Sequence, residues 1–154
     1  MLEQKIYMNA YEIHDGDLFV STNKSLLDRV LIHRFLSQDS YWAKGIPIET
    51  MNRSLENSLC FGLYQSGQQV GFGRMVTDYA TFAWLADVFI VEPARGQGLG
   101  KKLVAAILAH PNLQGLRRIM LGTRDAHGLY AQYGFEPLEY VERFMQIQDL
   151  HCYE

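Results

Sequence analysis

Val91-Glu92-Pro93-Ala94-Arg95-Gly96-Gln97-Gly98-Leu99-Gly100-Lys101-Lys102-Leu103-Val104 joins an apolar run, Trp84 to Val91, to a helical pattern with apolar residues at Leu99, Leu103 and Ile107. Glycine at every second position lets the backbone turn tightly and approach a ligand closely. The first amides of the following helix have no partners inside it and sit at the positive end of its dipole. A strand, a glycine loop and a helix start in this order form a cradle for an anion, most often a phosphate. A glycine-rich turn without a ligand is the plain alternative.

Two familiar phosphate motifs do not fit. The dinucleotide fingerprint G-x-G-x-x-G finds Gly96 and Gly98, but Lys101 stands at the third position. A P-loop needs glycine five residues before Gly100 and a hydroxyl residue after the lysine, where this chain has Arg95 and Lys102.

The remaining composition narrows the field. The chain has 154 residues, 48% hydrophobic and 20% charged, with a formal net charge of -3. That suits one soluble domain, residues 1–154, around a single core. The slight negative charge argues against a nucleic-acid partner, and Lys101-Lys102 and Arg117-Arg118 are too short to track a polyanion. They read as solvated positions, with a place for Lys101 or Lys102 beside phosphates as the second reading. Cys60 and Cys152 show no zinc-type spacing and the five histidines no ligand spacing, so no metal is expected. Cys60, inside Leu59-Cys60-Phe61-Gly62-Leu63, reads as a small buried hydrophobe. The first ten residues are too polar for a signal peptide and no apolar run spans a membrane, which makes a reducing cytoplasm the expected location.

Local pattern gives the element order. Leu18 to Thr22 reads as a strand. Asn23 or Ser25 caps a helix to about Leu36, Ser40 to Gly45 is loop, and Pro47 opens a second helix to Glu56. Ser58 to Tyr64 and Gln69 to Thr77 form a hairpin around Gln65-Ser66-Gly67-Gln68, followed by a strand from Thr81 to Val91. The helix Leu99 to His110 stops at Pro111. A buried strand Arg118 to Thr123, a short helix Ala126 to Tyr133 and two strands, Phe135 to Leu138 and Val141 to Gln148, complete the chain. One sheet with helices on both faces follows, of α/β or α+β class.

Arg95-x-x-Gly98-x-Gly100 resembles the acyl-coenzyme A pyrophosphate loop of the GNAT superfamily of N-acetyltransferases. A second motif lies about thirty residues on, in Asp125-Ala126-His127-Gly128-Leu129-Tyr130-Ala131-Gln132-Tyr133-Gly134-Phe135. It is similar to that superfamily's Ala-x-x-x-Tyr-x-x-x-Gly-Phe pattern, matched here by Ala126, Tyr130, Gly134 and Phe135. The resemblance runs from about Leu18 to Gln148 and implies a mixed, mostly antiparallel central sheet.

It also implies an activity, transfer of an acetyl group from acetyl-CoA to a primary amine by direct transfer in a ternary complex. The coenzyme would rest on Arg95, Gly96, Gln97, Gly98, Leu99, Gly100 and Lys101. Tyr130 would protonate the departing thiolate, a plausible transfer between groups of pKa near 10 and 8.5. Its plain alternative is an aromatic residue packed on the core. Two neighbouring strands, Thr81 to Val91 and Arg118 to Thr123, would splay apart, and an amide of Phe89, Ile90 or Val91 would polarise the thioester carbonyl.

Asp87 sits in an otherwise apolar strand, where a carboxylate is costly unless paired or functional. It is either a base or a structural group bonded to backbone or to Arg74; Asp78, His127 and a water relay are the other routes for the proton. The acceptor region would hold Tyr41, Trp42, Phe82, Trp84 and Tyr140, unless Trp42 and Trp84 are core. Asp78 and Asp87 favour a small-molecule amine as partner, without nucleic acid or membrane, and a homodimer is compatible with the resemblance. A non-catalytic acyl-CoA-binding regulatory module and a nucleotide-binding protein are the competing readings.

Overall fold

The computed structural model describes residues 10–154. Six strands form one sheet in the order β1 to β6: Glu12–Asp15, Leu18–Ser21, Leu59–Gln65, Gln68–Thr77, Phe82–Ile90 and Arg118–Met120. Neighbours are antiparallel except β5 and β6, which run parallel. Helices α1 (Arg29–Arg34) and α2 (Ile48–Glu56) cover one face; α3 (Leu99–Leu108) covers the other, and α4 (His127–Ala131) packs near α3. The expected α/β sheet, mixed and mostly antiparallel with helices on both faces, is what the chain forms.

Side-chain alternation along the strands explains the two layers. Phe61, Leu63 and Met75 point to one face, where Leu99, Leu103, Val104 and Ile107 of α3 meet them at helical spacing. Cys60 and Phe72 point the other way, onto Ile32 and Leu36, and onto Met51 and Leu55 one turn apart on α2. Cys60 is buried and packed as expected, and burial pushes its thiol up to about 11.

β5 changes face partway along. Phe72 pairs with Phe89, but Arg74 pairs with Ala86, so Asp87 and Val88 together oppose Gly73. This is a β-bulge, and its extra residue inverts the alternation. Ala83 and Leu85 face α3; beyond the bulge Phe89 belongs to the opposite layer, stacked on Phe35 at 3.9 Å. Asp87 takes the left-handed conformation, φ 56°, which Asp tolerates better than most residues. Its carboxylate accepts from Arg74 Nε at 2.5 Å and from Trp42 Nε1 at 2.8 Å, and the Asp87 side chain is only 8% exposed. Arg74 in turn donates to Ser58 Oγ at 3.1 Å. Gly73 sits opposite the bulge, where a Cβ would crowd Ile107 Cδ1 at 3.0 Å and Val88 Cγ2 at 3.3 Å.

Several boundaries differ from the sequence expectation. The first hairpin gains β1, which pairs with β2 around Gly16 at φ 63°. The helix expected from Asn23 to Leu36 is divided. Asn23 caps a short 3-10 turn, Lys24–Leu26; Asp28 caps α1 through the Leu31 amide; and a π turn, Phe35–Asp39, follows. The strand expected from Arg118 to Thr123 is three residues long and partly exposed rather than buried. Among the described residues no strand follows β6, so Phe135 to Leu138 and Val141 to Gln148 are corrected to irregular chain with one 3-10 turn, Val141–Arg143. Gly134 at φ 87° and Tyr140 at φ 54° break extended backbone before each run can start, and Pro137 lacks a ladder donor.

Removing the Asp87 carboxylate would leave a largely buried guanidinium without its partner. Asp87→Ala is expected to cost about 3 kcal/mol, the scale of breaking a buried pair. Asp87→Asn should cost less, since Asn keeps the left-handed preference and a hydrogen-bond acceptor. Urea unfolding with an unchanged m-value measures both.

Candidate active site

A cavity of about 550 Å³ lies where the two sequence motifs converge. Arg95, Gly96, Gly98, Leu99, Gly100 and Lys101 contribute to one side, and Leu129 and Tyr130 of α4 to another. Phe89 and Ile90 line its β5 wall, and Tyr41 and Trp42 come from the loop before α2.

The glycine loop has the geometry of a cradle. Gly96 and Gly98 hold φ of 81° and 74°, and a Cβ on either would project into open space. Gly98 is the N-cap of α3 and no side chain caps that helix, so its first amides are available to an anion. Arg95 Nε donates to the Ile90 carbonyl at 2.9 Å, which ties the loop back to β5. A pyrophosphate fits these features: main-chain donors, the positive end of a ten-residue helix, and Arg95 and Lys101 in the wall. Lys102 points elsewhere and pairs with Asp15 at 2.6 Å. Gln97 does not line the cavity; its side chain accepts from Gln65.

β5 and β6 separate early. Their register runs Phe82 to Arg118, Ala83 to Ile119 and Trp84 to Met120, and stops there. β5 continues for six further residues without that neighbour. Val91 donates its amide to Val70 on β4 at 2.9 Å. Antiparallel alternation therefore turns the Ile90 amide to the opposite edge, into the gap that β6 vacates. The Phe89 and Val91 amides face β4, and Val91 lies outside this cavity.

Tyr130 is buried at the cavity wall, edge-on to Phe135 at 5.7 Å. Burial, with a smaller contribution from the nearby Tyr41, pushes its phenol up to about 12. It is therefore protonated throughout the neutral range. His127, at the start of α4, is exposed and does not line the cavity.

An aromatic roof crosses the cavity. Tyr41 and Trp42 meet edge to face at 5.0 Å, both partly exposed. Asp87 holds the Trp42 indole from below; the Arg124 amide donates to the Tyr41 hydroxyl at 2.8 Å while its guanidinium stacks over the ring at 4.0 Å. Trp42 is thus not core. The sequence reading passed over Arg124, Phe35 and Asp39, all of which line the cavity with Asp125. Arg124 directly precedes the second motif and Asp39 directly precedes the Ser40-Tyr41-Trp42 loop, so adjacency was the available signal.

Five expected acceptor residues lie elsewhere or face away, Phe82 and Tyr140 among them. Asp87 is engaged by Arg74 and Trp42 and does not line the cavity. Asp78 closes the β4–β5 turn: it accepts from the Thr81 hydroxyl and from the amides of Ala80, Thr81 and Phe82, which hold its carboxyl far below the usual range. Trp84 is half-exposed in a separate groove, with Phe82 and Met120. Among the described residues no cluster of His, Cys, Asp and Glu could hold a metal, and no helix is long and apolar enough to cross a membrane.

The family model described as Acetyltransferase (GNAT) family matches residues 27–135. A Gibberella zeae protein, provisionally named an acetyltransferase, is 34% identical over 139 residues, spanning 76% of this chain and 77% of its own length. A solved Xanthomonas campestris pv. campestris structure, provisionally described as an acetyltransferase of the GNAT family, is 52% identical. It superposes with a TM-score of 0.86 over 88% of this chain and 96% of that one. The fold is also that of Rv2747 from Mycobacterium tuberculosis, solved in complex with CoA and NLQ, at 20% identity and a TM-score of 0.61 over 78% and 72% of the two chains. A family match covering most of the cavity's residues, on the fold those relatives share, means that this chain belongs to the acetyltransferase (GNAT) family.

Proposed function

We propose that the protein is an N-acetyltransferase that moves the acetyl group of acetyl-CoA directly onto a primary amine of a small molecule. The observation that carries this reading is the convergence of both motifs on one cavity: the uncapped start of α3 and a protonated tyrosine share its wall. The M. tuberculosis neighbour holds CoA on the same fold. Two free cysteines agree with a reducing cytoplasm.

The residues divide the work as follows. The amides of Leu99, Gly100 and Lys101, with Arg95, bind and orient the pyrophosphate. The Ile90 amide polarises the acyl oxygen from the gap beside β6. Tyr130 keeps its proton and gives it to the leaving sulfur. Trp42 and Tyr41 cover the acceptor and shield the centre from water. Asp87 positions Trp42, and a water relay carries the amine's proton to solvent, past Asp39 or Asp125 in the wall. Desolvation explains why a phenol pushed up to about 12 still serves: the same dry surroundings raise the proton affinity of the thiolate beside it.

Thiol release with acetyl-CoA and a panel of amines and alcohols, read with product masses, tests the activity. Amine products without ester products are the expected outcome; thiol release with alcohols alone would refute the amine. Gly98→Val forces a branched side chain into a left-handed position at the cradle. Calorimetry on the folded variant should find acetyl-CoA binding weakened about tenfold or more, the scale of losing charge-assisted contacts to the anion.

Tyr130→Phe keeps the ring and removes the proton, so kcat should fall about a hundredfold while the KM for acetyl-CoA stays level. Because the phenol is neutral below about pH 12, its titration adds no alkaline limb under assay conditions. Wild type and variant should therefore share one pH profile, displaced in height alone.

A further inference from the structure

The charges in the cavity wall fall into two groups. Arg95 and Lys101 stand with the glycine loop and the start of α3, where a pyrophosphate would use them. Three charged residues remain: Arg124, beside the aromatic roof, and the exposed Asp39 and Asp125. None of these three belongs to an ion pair among the described residues. Charges of both signs are therefore left for the acceptor to meet.

Arg124 has the most telling geometry. Its backbone amide donates to the Tyr41 hydroxyl at 2.8 Å, and its guanidinium carbon lies 4.0 Å from the centre of the same ring. Two contacts with one tyrosine fix where the charge sits. The ring takes one face of the guanidinium, a contact that leaves the in-plane fork of N–H groups open. Among the described residues no protein acceptor takes those N–H groups. A fork of this kind suits a carboxylate or a phosphate, which it binds through two parallel charge-assisted hydrogen bonds. Holding the fork in place beforehand reduces the entropy that such binding loses. Asp39 and Asp125 supply the opposite sign, which draws an ammonium group into the same space.

We infer that the acceptor is a primary amine that also carries an anionic group, a carboxylate or a phosphate, and that Arg124 selects it by binding that group. The inference rests on the acetyl transfer proposed above and narrows its substrate class. A neutral amine leaves the guanidinium fork unused. A polyamine brings a second positive charge towards it, and like charges brought together select against the wrong partner.

Matched pairs test this: α-amino acids beside their carboxamides, and phosphoethanolamine beside ethanolamine, each assayed by thiol release from acetyl-CoA. The carboxamide has the less basic amine and so more of it unprotonated at neutral pH, which means that a preference for the acid cannot come from the amine. The wild type should prefer the anionic member of at least one pair about tenfold or more in kcat/KM, and the pair that shows it tells carboxylate from phosphate. Arg124→Gln removes the charge and keeps the backbone amide that holds Tyr41. It should raise the KM of the anionic member roughly tenfold to a hundredfold and abolish the preference, while Arg124→Lys keeps part of it. No preference in the wild type overturns the inference. So does an Arg124→Gln variant that loses both members of a pair equally, since the arginine then only supports the roof, or one that loses acetyl-CoA affinity by the same factor in calorimetry. If no amine releases thiol, the acetyl transfer fails, and calorimetry of the same pairs on the CoA-loaded protein decides the anion site separately. Binding of anionic members alone, lost in Arg124→Gln, upholds it; no such binding overturns it.

Discussion

One carboxylate fixes the geometry on which both layers and the cavity depend. Asp87 occupies a left-handed position inside β5, and its two oxygens engage Arg74 and Trp42. The extra residue reverses the strand's alternation, so Leu85 and Phe89 enter opposite cores. The same reversal decides which amides face β4 and which face the gap beside β6. An ion pair this deep gains little net energy over an apolar pair of the same shape, because desolvation opposes the Coulomb attraction. Its contribution is directional: it specifies where the bulge sits and anchors an indole over the cavity.

The cavity is consequently assembled from two kinds of material. At the α3 end it presents main chain, made accessible by glycines with positive φ and by a helix start with no side-chain cap. Across from it stand side chains: Tyr41 and Trp42 on a loop secured by Asp87 and by the Arg124 amide, and Tyr130 set by the packing of α4. β6 opens the space between by ending its pairing at Met120.

Much of this was readable from the chain because it rests on local signals. The alternation of the β3–β4 hairpin, Pro47 before α2 and the glycine spacing before α3 each act within a few residues. What escaped depends on partners far away in sequence. Asp87 and Arg74 look equally able to serve catalysis or structure until their separation is known. The bulge leaves no local mark, since Ala86-Asp87-Val88-Phe89 reads as ordinary strand. Asp78 resembled an amine ligand, but its four hydrogen bonds lie within its own turn. The closing segment has strand-like composition but pairs with no strand among the described residues, so its period misled the assignment of secondary structure.

The contrast between main chain and side chain at the cavity has an evolutionary consequence. A surface made of amides is nearly blind to substitution, because changing a residue leaves its N–H in place unless the backbone itself must move. The opposite wall changes with every codon at positions 41 and 42, and its two tethers run to Asp87 on β5 and to Arg124 in the loop before α4, without passing through α3. Drift in descendants of this chain can therefore remodel one wall residue by residue, while the other is conserved as a shape rather than as an alphabet.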